Sequence, residues 1–426
     1  MADPSHLTER AETSPLPLRE SEGPVAERRE GEGAAFLVSL LLATSVLGML
    51  GSSSFAALVP EFERQWGLSN TDAGWINGIF YGGYVAAVPL LVGATDRIDP
   101  RRIYLLSFVI GGAASLGYAL LADGFWSALL FRALAGIGLA GGYMPGLKLM
   151  TDRVQGPRQS RYVAFYTAGF SFGTAISFAF TGELAAWFGW RAAFAAAAVG
   201  SIIALVLVLL LVRPATPDEI VPGERRALDF RPVFKNRPAM AFILGYSGHT
   251  WELFALRSWL VAFLAAAAAL TGDKGALAEA NWLSMAIVLI SAGASIYGAE
   301  LAVRSERRRI IGRIMLASVA TAGLTGFSAG LPIALVAALA LLYHMVIMGD
   351  SAALTGGAVA MAAPGQRGAT LAVHSILGFG AGFIGPLAVG FVLDLAGGTG
   401  SRLAWGFAFL TMGVGSAAAL AAIRKL

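Results

Sequence analysis

Long apolar runs alternate with short polar turns along almost the whole chain. Each run has about 20 residues or more, the length that an α-helix needs to cross a hydrocarbon core of roughly 30 Å. A backbone exposed to lipid must satisfy its own hydrogen bonds, so each run is predicted to be a helix. The predicted spans are 34–60, 73–95, 103–122, 125–150, 162–188, 191–212, 237–264, 281–303, 310–329, 331–350, 368–394 and 403–423. The pattern therefore predicts an all-α membrane protein with twelve transmembrane helices.

The second half of this pattern repeats the first at an offset of about half the chain. Arg97 and Arg304 each follow an even-numbered span, while Gly182 and Gly390 lie late in the fifth and eleventh spans. Such spacing is typical of parallel repeats related by an axis along the membrane normal. The predicted organisation is a disordered cytoplasmic tail at 1–33, a six-helix bundle at 34–212, a cytoplasmic linker at 213–236 and a second bundle at 237–426.

The distribution of positive charge predicts which way the chain is inserted. Of the 31 Lys and Arg residues, 25 lie in the tail and in the turns on the same side, and four lie in the opposite turns. Positively charged turns stay in the cytoplasm, so both termini are expected there. The expected location is a bacterial plasma membrane.

Composition narrows the possible chemistry. Hydrophobic residues make up 56% of the 426 residues and charged residues only 14%, which is far from a soluble composition. The chain has no cysteine and only four histidines, and no phosphate-binding Gly-Lys-Ser/Thr loop is present. No cofactor, metal, nucleotide or nucleic acid is therefore expected, and the expected partners are a small-molecule solute, the lipid bilayer and protons.

Three short motifs carry a resemblance to a known family. They are GATDRIDPRR at 93–102 after the second span, RALAGIGLAGG at 132–142 in the fourth and GFIGP at 382–386 in the eleventh. These segments resemble signatures of the major facilitator superfamily, although Val92 and Ala135 depart from its usual Gly and Gln. The resemblance implies two pseudo-symmetric six-helix bundles that alternate access to a central cavity. It also implies that the first, fourth, seventh and tenth helices line that cavity.

The resemblance assigns roles to the residues of these motifs. A gating latch is expected at Asp96, Arg97, Arg101 and Arg102, and at Arg304 in a degenerate second copy. In that latch Asp96 would face the positive N-terminus of a neighbouring helix. The alternative is that these charges only set topology. A hinge is expected at Gly385 and Pro386.

Ionisable side chains inside the apolar spans are the candidates for transport chemistry, because unpaired charge in lipid costs several kcal/mol. They are His249, Glu252 and Arg257 in the seventh span, Tyr343, His344 and Asp350 in the tenth, and Arg132 in the fourth. We expect Glu252 to carry a proton with His249 as its partner. We expect Arg257, Arg132 or both to face an anionic solute. The alternative is a set of buried pairs, such as Glu252 with Arg257, that only fix packing.

These features predict secondary active transport of a small solute by alternating access, proton-coupled, with a small anion or organic acid as the favoured solute. A neutral metabolite or sugar carrier and a drug or metabolite exporter are the alternatives. An intramembrane serine protease built on Ser247 of GYSG, with His344 or His374 as its base, and a non-transporting receptor are more remote alternatives.

Overall fold

The structure is a computed structural model, and it describes residues 24–154, 156, 158–215, 230–272 and 274–424. All regular structure in these residues is helical. The first eight helices are α1 (Pro24–Gly48), α2 (Ser54–Ala57), α3 (Val59–Trp66), α4 (Asn70–Ala94), α5 (Pro100–Leu121), α6 (Phe125–Arg153), α7 (Gln159–Phe188) and α8 (Trp190–Leu211). The others are α9 (Arg231–Lys235), α10 (Arg237–Thr271), α11 (Lys274–Arg304), α12 (Arg307–Gly326), α13 (Ile333–Ala360), α14 (Arg367–Leu395) and α15 (Arg402–Arg424).

The chain is a multi-pass membrane protein. Among the described residues, ten helices are long and apolar enough to cross a membrane. The other two predicted spans correspond to α1, whose apolar part is Gly33–Gly48, and to α12, which begins with three arginines. The all-α fold expected from the hydrophobic pattern is confirmed.

The helices form two bundles that meet along a few long contacts. Helices α1 to α8 pack into an N-terminal bundle, and α10 to α15 pack into a C-terminal bundle. Between them, α4 packs along α14, α7 packs along α11, and α2 and α3 lie against α10. Most of the linker, residues 216–229, lies outside the described residues.

The first predicted span differs from the structure at both ends. Helix α1 begins at Pro24, so residues 24–33 are helical rather than part of a disordered tail, and residues 1–23 lie outside the described residues. The helix ends at Gly48 instead of continuing to residue 60, because a glycine and three serines at 51–54 favour turns over helix. The freed backbone groups find a partner in α7, where Ser177 Oγ accepts from Ser53 N at 3.0 Å and donates to Leu50 O at 2.6 Å.

The two bundles touch most closely where α4 begins and α14 ends, a region that we call the sealed end. Here a Cβ added to Gly390 would strike Asn70 O, and one added to Gly74 would lie 2.7 Å from Pro386 O. Backbone therefore packs directly on backbone, as small residues allow in membrane proteins. We call the opposite end of the interface, where α4 ends and α14 begins, the terminal end. It includes the 95–99 turn.

Candidate functional site

The ionisable residues of the seventh and tenth predicted spans lie on α10 and α13, which pack against each other in the C-terminal bundle. Helix α10 has 35 residues and starts sharply, because Asn236 accepts a hydrogen bond from Ala239 N at 3.1 Å. It ends at Gly272, whose φ of 73° is the left-handed conformation that stops a helix. The three ionisable residues of α10, His249, Glu252 and Arg257, lie within nine residues in the middle of this helix.

Arg257 is a buried cation that has no anionic partner in the described part of the chain. Its side chain is 3% exposed, and no carboxylate among the described residues lies within ion-pair distance. Nε donates to His344 Nε2 at 3.2 Å, and Nη2 lies 3.9 Å from Met348 Sδ. Both partners are uncharged groups on α13, so the positive charge of the guanidinium is not neutralised there.

His344 holds Arg257 in place as a neutral ring. The Arg257 Nε–H can only donate, so His344 Nε2 must accept and the ring proton resides on Nδ1. That nitrogen lies 2.5 Å from Ser291 Oγ of α11. The serine in turn donates to the main-chain oxygen of Ile287. A chain of hydrogen bonds from α11 through α13 therefore orients the guanidinium on α10.

His249 pairs with Asp350 rather than with Glu252. His249 Nδ1 lies 2.8 Å from Asp350 Oδ1, and both side chains are buried. The Tyr246 ring stacks on this imidazole at 5.5 Å between centroids and on the ring of His374 at 3.8 Å. His374 Nε2 is 3.2 Å from Thr355 Oγ1. The pair therefore connects α10 to α13 and lies beside α14.

Glu252 contacts three hydroxyl groups from three other helices. Oε1 accepts from Ser318 Oγ of α12 at 2.9 Å and from Tyr343 Oη of α13 at 2.7 Å, and Oε2 accepts from Ser416 Oγ of α15. The expected partnership with His249 and the alternative pairing with Arg257 are therefore both wrong. Glu252 points into the core of the C-terminal bundle.

Arg132 on α6 is bound to main-chain oxygens. Nη1 donates to Gly51 O at 3.2 Å and Nη2 to Ser52 O at 3.0 Å, while the guanidinium carbon lies 4.4 Å from the Phe80 ring centroid. The carbonyls are those freed where α1 breaks. Arg132 therefore fastens α6 to the turn that interrupts the first predicted span.

Three residues of the predicted gating loop are exposed, and one is buried and hydrogen-bonded to a neighbouring helix. Asp96, Arg97 and Arg102 are exposed, and Asp96 caps no neighbouring helix among the described residues. Arg101 is buried and donates to Val212 O at 2.6 Å and Leu209 O at 3.0 Å, so it caps the last turn of α8.

The remaining predicted motif residues also have defined places. Arg304 pairs with Glu300 one turn earlier on α11 at 2.7 Å, on an exposed face. Pro386 lies inside α14, and its carbonyl oxygen accepts from Trp259 Nε1 at 3.0 Å. A Cβ added to Gly385 would lie 2.6 Å from Trp251 O. Gly385 and Pro386 thus lie where α14 crosses α10.

The Ser247 hydroxyl of the GYSG segment donates to Ile243 O of its own helix at 3.0 Å. It therefore does not form the serine–histidine contact that the protease alternative requires.

Two features of the interface between the bundles were not predicted from the sequence. Tyr81 of α4 stacks on Phe254 of α10 at 4.1 Å between centroids, and Tyr84 stacks on Phe379 of α14 at 4.0 Å. Asp394 at the end of α14 accepts hydrogen bonds from Asn70 and Thr71 at the start of α4. No local signal in the sequence announces these contacts, because they join residues more than 170 positions apart.

The chain is similar in sequence to known membrane transport proteins. The family model described as Major Facilitator Superfamily matches residues 40–349. The chain is similar to the chloramphenicol resistance protein of Streptomyces lividans, with 30% identity over 63% of this chain and 66% of that relative. It is also similar to the hexuronate transporter of Bacillus subtilis (strain 168), with 26% identity over 54% of this chain and 56% of the relative. The chain thus spans just over half to about two thirds of these relatives.

A solved structure shows the same fold over nearly the whole chain. This is a bacterial homologue of the human lysosomal transporter Spinster, in an inward-facing and unoccupied conformation. It has a TM-score of 0.73 and 16% identity, and the match covers 92% of this chain and 97% of that one.

Proposed function

Because the chain belongs to the Major Facilitator Superfamily, we propose that it is a secondary transporter that couples a small organic anion to protons by alternating access. The observation that carries this proposal is the buried guanidinium of Arg257, which has no carboxylate partner among the residues that the structure describes. A buried charge without a counter-ion is costly, and a solute carboxylate would supply the missing partner.

The chemistry of Arg257 favours a carboxylate over a neutral solute. A guanidinium binds a carboxylate through two parallel N–H bonds, and such charge-assisted bonds are about twice as strong as neutral ones. Among the described residues, the guanidinium is engaged through Nε and Nη2, on a ring nitrogen and a sulfur atom. The hydrogen bonds from Ser291 through His344 keep the guanidinium in one orientation, which lowers the cost of binding.

Coupling to protons follows from the electrical cost of importing an anion. Moving one elementary charge across a membrane costs about 2.3 kcal/mol per 100 mV, and a proton that travels with the anion cancels this cost. The buried titratable groups beside Arg257 provide places for such a proton. The positive charges on the turns of the terminal end support a cytoplasmic position for that end in a bacterial plasma membrane, with the sealed end outside.

The similarity to a hexuronate transporter supports the same class of solute, because a hexuronate is a sugar carboxylate. The similarity to a chloramphenicol resistance protein favours a second candidate, export of a neutral amphipathic compound. The aromatic pairs Tyr81–Phe254 and Tyr84–Phe379 offer flat surfaces for that kind of molecule. The two candidates differ in whether Arg257 is needed.

The first test compares Arg257→Gln with the wild-type protein in proteoliposomes. Counterflow of labelled glucuronate and binding of glucuronate, glucose and chloramphenicol by thermal shift would be measured. We expect the substitution to weaken carboxylate binding about 30-fold or more, as removing one member of a buried charge pair costs 2 kcal/mol or more. Arg309→Gln is the matched control, because Arg309 is an exposed arginine that pairs with Glu306.

The outcomes separate the two candidate functions. Loss of glucuronate counterflow in Arg257→Gln alone supports an anion transporter. Stabilisation by chloramphenicol and by no carboxylate, unchanged in Arg257→Gln, would instead support the exporter and overturn the anion proposal.

A further inference from the structure

We infer that a cavity at the sealed end binds a small organic amine in its cationic form and that the bound amine holds this end closed. The Glu63 carboxylate binds the ammonium group, and an alanine face of α10 packs on the apolar body of the amine. The inference goes beyond the proposed function, because it concerns a second site and requires only that the two bundles separate at the sealed end.

The cavity lies between the two bundles. It is lined by α3 of the N-terminal bundle, by the last turns of α10 in the C-terminal bundle and by the turn before α15. Its volume is about 330 Å³, which is within the range of small-molecule sites. The wall from α10 includes Ala262, Ala265, Ala266 and Ala269, whose spacing of three and four residues places them on one helical face. This face is apolar and leaves room for alkyl or aromatic carbon.

Glu63 supplies a free carboxylate to the cavity. Its Oε1 atom is buried, and the carboxylate makes no hydrogen bond or ion pair in the described part of the chain. A buried carboxylate without a partner is costly, so it favours binding of either a proton or a cation. Burial, together with the nearby charge of Asp394, raises the pKa of Glu63 from 4.5 to about 7. A proton and an amine therefore compete for this carboxylate near neutral pH.

The charged groups of the elements around Glu63 have partners of their own. Helix α10 has no charged residue after Arg257, and the 396–401 turn has none. The charged residues described on the other elements are Glu61 and Arg64 of α3, which pair with each other, Asp72, which caps α4, Asp394, which accepts from the start of α4, and Arg402, which donates to Gly330 O. Asp394 adds a second negative charge near the cavity, and this charge favours a cation there.

The lining of the cavity favours an organic cation over a metal ion. Hard metal ions such as Ca²⁺ take six or more oxygen ligands. The described side chains that line the cavity offer the Glu63 carboxylate and the Thr399 hydroxyl, and the wall is otherwise mostly alanine. An ammonium group on a small apolar body fits both features. The ammonium forms a charge-assisted hydrogen bond with the carboxylate, and the body removes the alanine face from water.

An amine in this cavity contacts both bundles, because Glu63 belongs to one bundle and the alanine face to the other. Opening of the sealed end separates these two walls, so the amine has a higher affinity for the sealed state. A ligand with unequal affinity for two states shifts the population towards the state that it binds more tightly. The amine is therefore expected to close the sealed end at a pH at which Glu63 has lost its proton.

The test uses the full-length chain in phosphatidylcholine nanodiscs. The probes are 2-phenylethylamine, 2-phenylethanol and phenylacetate, which share one apolar body and differ in charge. Calorimetric titration measures their affinities at pH 8 and pH 6. We expect the amine to bind about tenfold or more tightly than the other two probes at pH 8. Its affinity should fall about tenfold between pH 8 and pH 6, because Glu63 then holds a proton in most molecules.

A second measurement reports closure. Spin labels on Gln65→Cys and Leu403→Cys lie on α3 and α15, one in each bundle. The amine should shorten the distance between the labels at pH 8, and 2-phenylethanol should leave it unchanged. Phosphatidylethanolamine carries the same ammonium group, so the measurement is repeated in nanodiscs that contain this lipid. A shorter distance with the lipid alone means that a lipid headgroup supplies the ammonium, and an unchanged distance means that a free amine does.

Three variants locate the site. Glu63→Gln should weaken amine binding about 30-fold or more and abolish its pH dependence, because the charge that binds the ammonium is lost. Ala266→Leu keeps Glu63 but fills part of the cavity, and it should weaken binding about tenfold or more. Glu61→Gln is the matched control, because Glu61 lies on the same helix and pairs with Arg64.

The inference is overturned by equal affinity for the amine and the alcohol, or by amine binding that persists unchanged in Glu63→Gln. An equal loss of binding in Glu61→Gln would overturn it as well. None of these measurements uses glucuronate, so the proposed function is tested separately from this site.

Discussion

Each end of the interface between the bundles has an aspartate next to a helix end, but only one of the two aspartates contacts the other bundle among the described residues. At the sealed end, Asp394 of α14 accepts from Asn70 N and Nδ2 at 3.1 and 2.7 Å, and from Thr71 N and Oγ1 at 2.8 and 2.5 Å. It thus binds the first free amides of α4 across the bundles. At the terminal end, Asp96 was expected to face the N-terminus of a neighbouring helix. Its side chain is instead exposed.

This difference shows which features hold the two bundles together at the sealed end. An aspartate at a helix N-terminus gains from both the unpaired N–H groups and the helix dipole, so one side chain can join two bundles. The contact at the sealed end is supported by glycines that bring the backbones together, whereas a Cβ added to Gly93 beside the 95–99 turn would meet nothing within 4 Å. The structure is therefore the state closed at the sealed end, and the predicted latch at the other end is not engaged in it.

The largest expected effect comes from separating the backbones at the sealed end. In Gly390→Ala the new Cβ would strike the main-chain oxygen of Asn70, which cannot rotate away. Overpacking of this kind costs about 1–3 kcal/mol, so the population that is open at the sealed end should rise about 5- to 150-fold. The chain has no cysteine, so Gln65→Cys and Leu403→Cys can carry spin labels whose distance reports the opening.

The control for this variant lies on the same helix. A Cβ added to Gly380 meets nothing within 4 Å, so Gly380→Ala should leave the label distance unchanged. An equal increase in both variants would mean that helix propensity in α14, rather than contact with α4, sets the distance.

A smaller effect is expected from Asp394→Ala, which removes the acceptor but leaves the glycine contacts. Loss of a helix-capping side chain costs about 1 kcal/mol, and the charge at the dipole adds up to about 1 more, so the open population should rise about 5- to 30-fold. The open population of Asp394→Asn should lie between that of Asp394→Ala and that of the wild-type protein. Asp96→Ala is the comparison at the other end, and an equal shift there would contradict the claim that only Asp394 is engaged.

The sequence was sufficient for the helices and insufficient for their pairing. Apolar runs of about twenty residues predicted the ten described helices that are long and apolar enough to cross a membrane, because length and hydropathy are local properties. The turn at 51–54 was missed since its stability depends on Ser177 and Arg132, which are far away in the chain. The partners of His249, Glu252 and Arg257 were likewise set by neighbouring helices. Helical periodicity on α10 gives the direction of a side chain but not the helix that it meets.

The smallest effect concerns pH at the sealed end. Glu63 on α3 lies with Pro60 against an alanine-rich face of α10, and burial, with the nearby charge of Asp394, raises its pKa from 4.5 to about 7. Opening would return this side chain to water and lower its pKa, so a bound proton favours the sealed state. The advantage is complete below pH 4.5 and is lost as the pH rises through about 7. The label distance at the sealed end should therefore increase between pH 5 and pH 8. In Glu63→Gln the distance should stay at its low-pH value throughout; a pH dependence that persists in this variant would assign the titration to another group at that end.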